Sequence, residues 1–150
     1  MGGPSGFDIA NRKARIYGSG NNLSCWTPIP TIAVAVVNML RNPSATLNRS
    51  IFVSGVLDLT QNAILTALEA ETGDKFSVEH VDVRQIKKEA LEALEKGEYR
   101  QATRGLTINS NFNEDSAANF WDKVENELVG VKPVTVQEAV RDAMGSWRKE

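Results

Sequence analysis

The first residues whose spacing suggests chemistry are Gly18 and Gly20, in the stretch IYGSGNN. A glycine-rich turn holds a dinucleotide pyrophosphate when it reads G-x-G-x-x-G after a strand and opens a helix. Here the third glycine position is Leu23, and the residues up to Pro30 do not favour an immediate helix. No row of helix N-terminal N–H groups would then face a phosphate. The pattern therefore predicts a turn and not a cofactor-binding loop.

Other reactive side chains do not form a recognisable catalytic set. Cys25 and His80 are the single cysteine and the single histidine, so the usual zinc ligands are lacking. These two residues could pair in space, but a small buried cysteine and a structural histidine are the simpler interpretation. Neither Tyr17 nor Tyr99 is followed by a lysine four residues later. The residues themselves thus predict no catalytic, cofactor-binding or metal-binding side chain.

The elements that would position these residues alternate between strands and helices. A β-rich run at 49–55 ends at a glycine, and Thr60 to Gly73 has the N-cap and the terminating glycine of a helix. An alternating, half-buried strand follows at 76–81, and ARIY before Gly18 is a further short strand. Strand, helix and strand over about 49–81 make a βαβ unit, whose strands pair in parallel. The sequence therefore predicts an α/β fold with a partial parallel sheet.

Further helices complete the predicted fold. The run 31–40 follows two prolines and is apolar on nearly every side, so it is expected to be a mostly buried helix. Asp82 and Gln85 have capping-box spacing for a helix that ends at Gly97, with Ile86, Ala90, Leu91 and Leu94 as its buried stripe. The stretch 113–130 has apolar residues at helical spacing. Thr135 and Glu138 form a capping box for the last of these C-terminal helices.

The segment 103–114 fits none of these elements. It is rich in asparagine, yet it also carries Leu106, Ile108 and Phe112. Long irregular connections in compact domains are often binding loops. The alternative is a surface loop that three apolar side chains pin to the core, and the residues alone leave both interpretations open.

Length and composition set further bounds. The chain has 150 residues, 41% apolar and 24% charged, with a net charge of −2, which is ordinary for one globular domain and gives no bulk attraction to nucleic acid. The longest apolar run, 32–37, is far too short for a membrane span, and the N-terminus lacks the features of a secretory signal. We therefore expect a cytoplasmic protein without nucleic-acid or membrane partners. Residues 1–6 are interpreted as a linker or truncation scar, and 7–150 as the domain.

Four phrases together resemble a known family. GFDIANRKARIYGSGNN, TPIPTIAVAVVNMLRNPSATLNRSIFVSG, LTQNAILTALEAETGDKFSVEHV and EALEKGEY, in this order over residues 6–99, are similar to the NmrA-like, isoflavone-reductase-like proteins, especially fungal members. That family is an atypical branch of the short-chain dehydrogenase/reductases. The resemblance covers only the C-terminal half of the family's domain, and the tail at 115–147 fits more loosely.

The resemblance carries expectations about function. Family members bind NAD(P)(H) on an N-terminal Rossmann half. Some reduce small aromatic substrates, and others sense the dinucleotide and bind a transcription factor. The family's glycine-rich loop and catalytic lysine belong to that other half, so no cofactor is expected for this chain alone, and NADP(H) or NAD(H) once that half is supplied. The segment 100–113 would border the substrate cleft, with Leu106, Ile108 and Phe112 as walls of a pocket for a small aromatic ligand.

Three functions remain open at this point. The first is the substrate lobe of an NmrA-like oxidoreductase, not catalytic alone. The second is a non-enzymatic regulatory or protein-binding module, and the third is a small-molecule binding protein or an enzyme with a new site near 103–114. A halved parallel sheet would leave an open edge, and the run 33–37 has almost no polar face. We therefore also predict self-association, a protein partner covering that edge, or a rearranged sheet.

Overall fold

The computed structural model describes residues 5–147, so residues 1–4 of the predicted linker lie outside it. The chain divides into two compact units. The sheet unit comprises residues 5–22 and 60–118, and the second unit comprises residues 23–59 and 119–147. In chain order the elements are β1 (Phe7–Asp8), β2 (Lys13–Tyr17), α1 (Ile29–Arg41), α2 (Pro43–Thr46), α3 (Gln61–Thr72), β3 (Ser77–Val81), α4 (Val83–Glu95), α5 (Tyr99–Phe112), two short 3₁₀ helices (Trp121–Lys123 and Asn126–Val129) and α6 (Val136–Trp147).

The sheet unit confirms the predicted α/β fold with a parallel strand pair. The strand order is β1-β2-β3, with β1 antiparallel and β3 parallel to β2. Lys13 lies opposite Ser77 at one end of the parallel pair, and Tyr17 lies opposite Val81 at the other. β3 is more exposed than the predicted half-buried strand, because it forms one edge of this small sheet.

The predicted strand at 49–55 is wrong. Phe52 makes only a single parallel bridge, to Val124. The backbone of Ser54 is instead satisfied by a side chain: its N–H donates to Asn126 Oδ1 (3.1 Å), and its carbonyl accepts from Asn126 Nδ2 (2.7 Å). An amide side chain thus takes the place of a neighbouring strand. The partner of β3 is β2, so the predicted βαβ unit has its helix and second strand in place, but not its first strand.

α3 has the predicted ends and supports β2. Thr60 Oγ1 accepts from the N–H of Ala63 (3.0 Å), and Gly73 ends the helix with a φ of 74°. The buried side chain of Gln61 joins α3 to the sheet, since its Oε1 accepts from the N–H of Tyr17 (2.8 Å). Local capping and this buried amide together fix the helix against the strand.

α5 corrects the prediction of an irregular segment at 103–114. Most of that segment is helical, because α5 runs through to Phe112 and packs against α4. Gly105 allows the close approach, since a Cβ there would lie 2.7 Å from the Cβ of Ala90. Tertiary packing outweighs the low helix propensity of the asparagines.

The prediction of which α4 residues form its buried stripe is partly wrong. Its buried residues are Val83, Ala90 and Ala93, whereas Leu91 and Leu94 are exposed. Small alanines face α5 because the two helices lie close together. The N-cap Asp82 is as predicted, but its Oδ1 accepts from the N–H of Arg84 (2.8 Å), and Gln85 bonds to Glu89 instead of closing the box.

The second unit packs α1 over a small core. Ala35, Val129 and Val131 are buried there, next to partly buried Met39 and Ile51. The prediction of a mostly buried α1 is wrong, because only Ala35 is buried within it. Its exposed apolar side chains are Ile29 (82%), Ile32 (45%), Val34 (48%), Val36 (46%), Val37 (44%) and Leu40 (76%).

The C-terminal part of the chain differs from its prediction in one place. The expected helix over 113–130 is reduced to the two short 3₁₀ helices, and Gly130 ends the second with a φ of 64°. The capping box of α6 is confirmed: the N–H of Thr135 donates to Glu138 Oε2 (2.8 Å), and the N–H of Glu138 donates to Thr135 Oγ1 (3.2 Å). None of the helices in the described part of the chain has the length and apolarity needed to cross a bilayer.

Candidate functional site

A cavity of about 620 Å³ opens at the carboxyl ends of β2 and β3, and we refer to it as the strand-end cavity. Three segments of the sheet unit line it: the turn after β2, the first turns of α4 and the end of α5. The lining residues are Gly18, Ser19, Asn22, Asp82, Val83, Arg84, Lys87, Asn109, Phe112, Asn113, Glu114 and Asp115. Open α/β sheets bind their ligands at the carboxyl ends of parallel strands. Position alone therefore makes this cavity the candidate site.

The turn after β2 forms the first wall of the cavity. Gly18 has a φ of 61° and donates its N–H to the carbonyl of Val81 (2.9 Å), and Gly20 donates to the carbonyl of Tyr17 (3.2 Å). The predicted turn is thus confirmed, and α1 begins only at Ile29. Gly20 is a packing glycine, because a Cβ there would clash with the Ile16 side chain.

Asn22 fastens this turn to the end of α5. Its Nδ2 donates to the carbonyls of Phe112 (2.9 Å) and Asn113 (2.7 Å). The last carbonyls of a helix have no partner within the helix, so a side-chain donor stabilises them. On the other side of the turn, Asn62 Nδ2 donates to the carbonyl of Ser19 (3.0 Å). Two asparagines from distant parts of the sequence therefore hold the cavity wall in place.

The charged side chains of the cavity have both signs. Arg84 and Lys87 are one turn apart on α4, and Glu114 and Asp115 follow α5. Asp82 occupies the N-cap, where its carboxylate faces the positive end of the helix dipole. With the asparagine amides, these groups can hydrogen-bond several polar atoms of a ligand and so fix its orientation.

Phe112 supplies the aromatic wall. Its ring centroid lies 5.0 Å from that of Tyr17, with 33° between the ring planes. Burial raises the pKa of Tyr17, and the nearby cations of Arg15 and Arg104 offset this only in part. Of this pair only Phe112 lines the cavity, with Tyr17 packed against it from inside the sheet unit.

The three predicted pocket residues are not gathered in one place. Phe112 is buried and lines the strand-end cavity. Ile108 is also buried, but it lines a different cavity of about 240 Å³ between α4 and α5, together with Gly105 and Ala90. Leu106 is half-buried and lines neither cavity. Their role in substrate binding remains a prediction.

The polar residues of the site were not identified from the sequence. Ser19, Asn22, Arg84, Lys87, Asn109 and Asn113 come from three separate segments. The sequence did contain one indication of the site, because Gly18 and Asp82 each follow directly after a strand. Using that indication required knowing that β2 and β3 are neighbours in the sheet. Among residues 5–147, no group of three or more His, Cys, Asp and Glu side chains is placed to hold a metal ion.

Comparison with known proteins relates the chain to fungal oxidoreductases. It is 36% identical to the oxidoreductase aprR of Aspergillus flavus over 92 residues, which are 61% of this chain and 31% of the relative. It is 30% identical to the oxidoreductase poxI of Penicillium oxalicum over 145 residues, with 90% of this chain and 44% of the relative covered. The chain thus spans less than half the length of these relatives. No family model matches the sequence. No solved structure matches it either.

Proposed function

We propose that this chain is the substrate side of an NmrA-like, NAD(P)H-dependent oxidoreductase, and that the strand-end cavity holds the substrate. The observation that carries the proposal is the position of this cavity at the carboxyl ends of β2 and β3, in a chain whose relatives are named oxidoreductases. An aromatic wall with amide and charged groups around it suits a small aromatic compound with polar substituents.

The Gly18–Gly20 turn does not suit the pyrophosphate of a dinucleotide. The turn is not followed directly by a helix, and a Cβ added at Gly20 would clash with the side chains of Ile16 and Asn62, so the space beside Gly20 is already filled. A pyrophosphate has no free backbone approach there. The proposal therefore places NAD(P)(H) on the N-terminal Rossmann half of the family's domain, which the resemblance of this chain does not cover. The role of this chain is to bind and orient the substrate.

Ligand binding by the chain tests the substrate site. Isothermal titration with 4-hydroxycinnamic acid and its methyl ester should show saturable binding. Phe112→Leu should weaken that binding by about tenfold, or about 1.4 kcal/mol. Phe52→Leu is the matched control, because Phe52 lies in the second unit and is partly exposed. An affinity that Phe112→Leu leaves unchanged would remove this cavity from the proposal.

A second titration tests where the dinucleotide binds. NADPH fluorescence should not change saturably when the chain alone is added. Tight, saturable binding would show that the cofactor site lies within this chain and would overturn that part of the proposal.

A protein-binding module is the second candidate, and the exposed apolar surface of α1 favours it. A helix that is apolar on all sides is normally buried. Here Ile29 is 82% exposed and Leu40 is 76% exposed. Capture of a protein partner that Leu40→Lys abolishes, in a chain that binds none of the aromatic probes, would favour this function over the first.

A further inference from the structure

We infer that the free edge of β3 pairs two copies of this chain through an antiparallel strand contact. This inference goes beyond the proposed function and does not depend on it. β3 is the last strand in the order β1-β2-β3, and its five residues outnumber the two of β1 at the other end. It is therefore the longer open edge in the described sheet.

The direction of the backbone groups on β3 follows from its bonds to β2. The N–H of Ser77 donates to the carbonyl of Arg12 (2.8 Å), and the carbonyl of Val81 accepts from the N–H of Gly18 (2.9 Å). Within a strand, the N–H and C=O of one residue point to the same side, and the side alternates along the chain. Ser77, Glu79 and Val81 thus face β2, while Val78 and His80 direct their N–H and C=O groups away from the sheet.

The outward side of β3 has few of the features that normally prevent another strand from pairing with a sheet edge. Residues 77–80 are exposed, and Val78 keeps 42% of its surface accessible. Neither proline nor glycine interrupts the strand. Edges without bulges, prolines or inward charges readily pair with another strand. The edge therefore combines unpaired backbone groups with an exposed β-branched side chain.

Self-pairing in one register gives four backbone hydrogen bonds and places no like charges opposite each other within β3. With Val78 opposite Val78 of the second copy, the two valines exchange two backbone hydrogen bonds. The His80 N–H of each copy reaches the Phe76 carbonyl of the other, which adds two more. The His80 carbonyls stay unpaired, because the N–H of Phe76 donates to Glu69 Oε1 (3.0 Å). Ser77 then lies opposite Glu79, whose carboxylate is also 3.2 Å from Arg15 within its own copy. A hydroxyl donor thus faces a carboxylate on each side of the two-fold axis.

The neighbouring registers are less favourable. Moving the axis to Glu79 places two carboxylates directly opposite each other, which destabilises a strand pair. Moving it to Ser77 keeps the bond from the Val78 N–H to the Phe76 carbonyl but loses the reverse bond, because the N–H of Phe76 donates to Glu69 Oε1. That register therefore has two bonds where the Val78 register has four. Charge and hydrogen-bond complementarity therefore select a second copy of β3 in the Val78 register. Two short strands bury less than a standard interface, so the dimer should be weak and concentration-dependent.

Light scattering after size exclusion, over a series of protein concentrations, tests the inference. The wild-type mass should rise from 16.4 kDa towards twice that value. Val78→Lys places two cations across the axis and should abolish the rise, whereas Val78→Thr should retain it. Ser77→Lys puts a lysine opposite Glu79 and should lower the concentration at half-dimerisation severalfold.

Leu40→Lys is the control for the apolar surface of α1, and it should leave the dimer unchanged. Circular dichroism and urea unfolding establish that each variant is folded. A wild-type chain that stays monomeric at millimolar concentration overturns the inference. So does a dimer that survives Val78→Lys but is lost in Leu40→Lys.

Discussion

The ring of Tyr17, at the end of β2, lies 5.0 Å from the ring of Phe112, at the end of α5. This contact joins the strand that leads into the strand-end cavity to the helix that closes it. Both rings are buried, and Tyr17 keeps only 2% of its surface accessible. The pair therefore couples the ionisation of a buried phenol to the stability of the cavity wall.

Alkaline pH should destabilise the wild type more than a Tyr17→Phe variant. Burial raises the pKa of Tyr17 above its ordinary 10.0, so the folded chain holds the proton more tightly than the unfolded chain. This contribution is complete below pH 10 and is lost as the pH rises through the folded-state pKa. Urea unfolding between pH 8 and 11.5 measures it. Tyr99→Phe is the control, because Tyr99 is 70% exposed, and it should behave as wild type.

Asn22→Ala should destabilise the fold by about 1–3 kcal/mol, because two carbonyl acceptors lose their donor. Asn22→Asp should be worse, since a carboxylate of the same size cannot donate and would repel the Phe112 and Asn113 carbonyls. Urea unfolding gives the order of the three proteins. Hydrogen exchange should show faster exchange at the end of α5 in both variants. Equal stability of the alanine variant and the wild type would contradict a clamping role.

Gly20→Ala should cost several times more stability than Gly73→Ala. Both glycines have positive φ values, 71° and 74°, so both variants pay a similar backbone cost of about 1–2 kcal/mol. Only at Gly20 would the new methyl group meet neighbours, namely Ile16 and Asn62 Oδ1, the latter at 2.7 Å. At Gly73 nothing lies within 4 Å. Thermal unfolding of the two variants measures both losses of stability and so separates the packing cost from the backbone cost. Similar losses in the two variants would contradict a close contact at Gly20.

The start of α6 should fray as the pH falls below about 4.5. The backbone hydrogen bond from Thr135, followed by the bond from its hydroxyl, lowers the pKa of Glu138 from 4.5. The stabilisation is therefore present above pH 4.5 and is lost as the pH falls through the folded-state pKa. Glu138→Gln keeps the capping geometry without the ionisation, so it should remove this pH dependence. Amide exchange of α6 between pH 3 and 6 distinguishes the two, and identical profiles would contradict the capping role.

Features with local causes could be predicted from the sequence. Thr60 and Gly73 define α3, and Thr135 and Glu138 define the start of α6, because each cap involves residues that are close in the chain. β3 was found from its alternation. These elements depend little on the rest of the fold.

Features with distant causes could not be predicted. The helical state of 103–112 depends on the contact of Gly105 with Ala90. The segment around Ser54 is not a strand because Asn126, 72 residues later, binds its backbone. The polar wall of the cavity was missed for the same reason, since Asn22 binds α5 across 90 residues. The pattern of residues within one segment does not reveal which distant residue will contact that segment.

Residues 23–59 lie between β2 and β3 in the sequence, and the two ends of this segment are close together. The N–H of Asn62 donates to the carbonyl of Gly20 (3.1 Å), and the N–H of Ser24 donates to the carbonyl of Leu59 (2.9 Å). These two hydrogen bonds hold the two ends of the segment together. Since the entropy of closing a loop grows only slowly with its length, the length of the segment between these bonds has little effect on the entropic cost of bringing β2 and β3 together. The parallel pairing of β2 with β3 therefore does not depend on a connecting segment of one particular length.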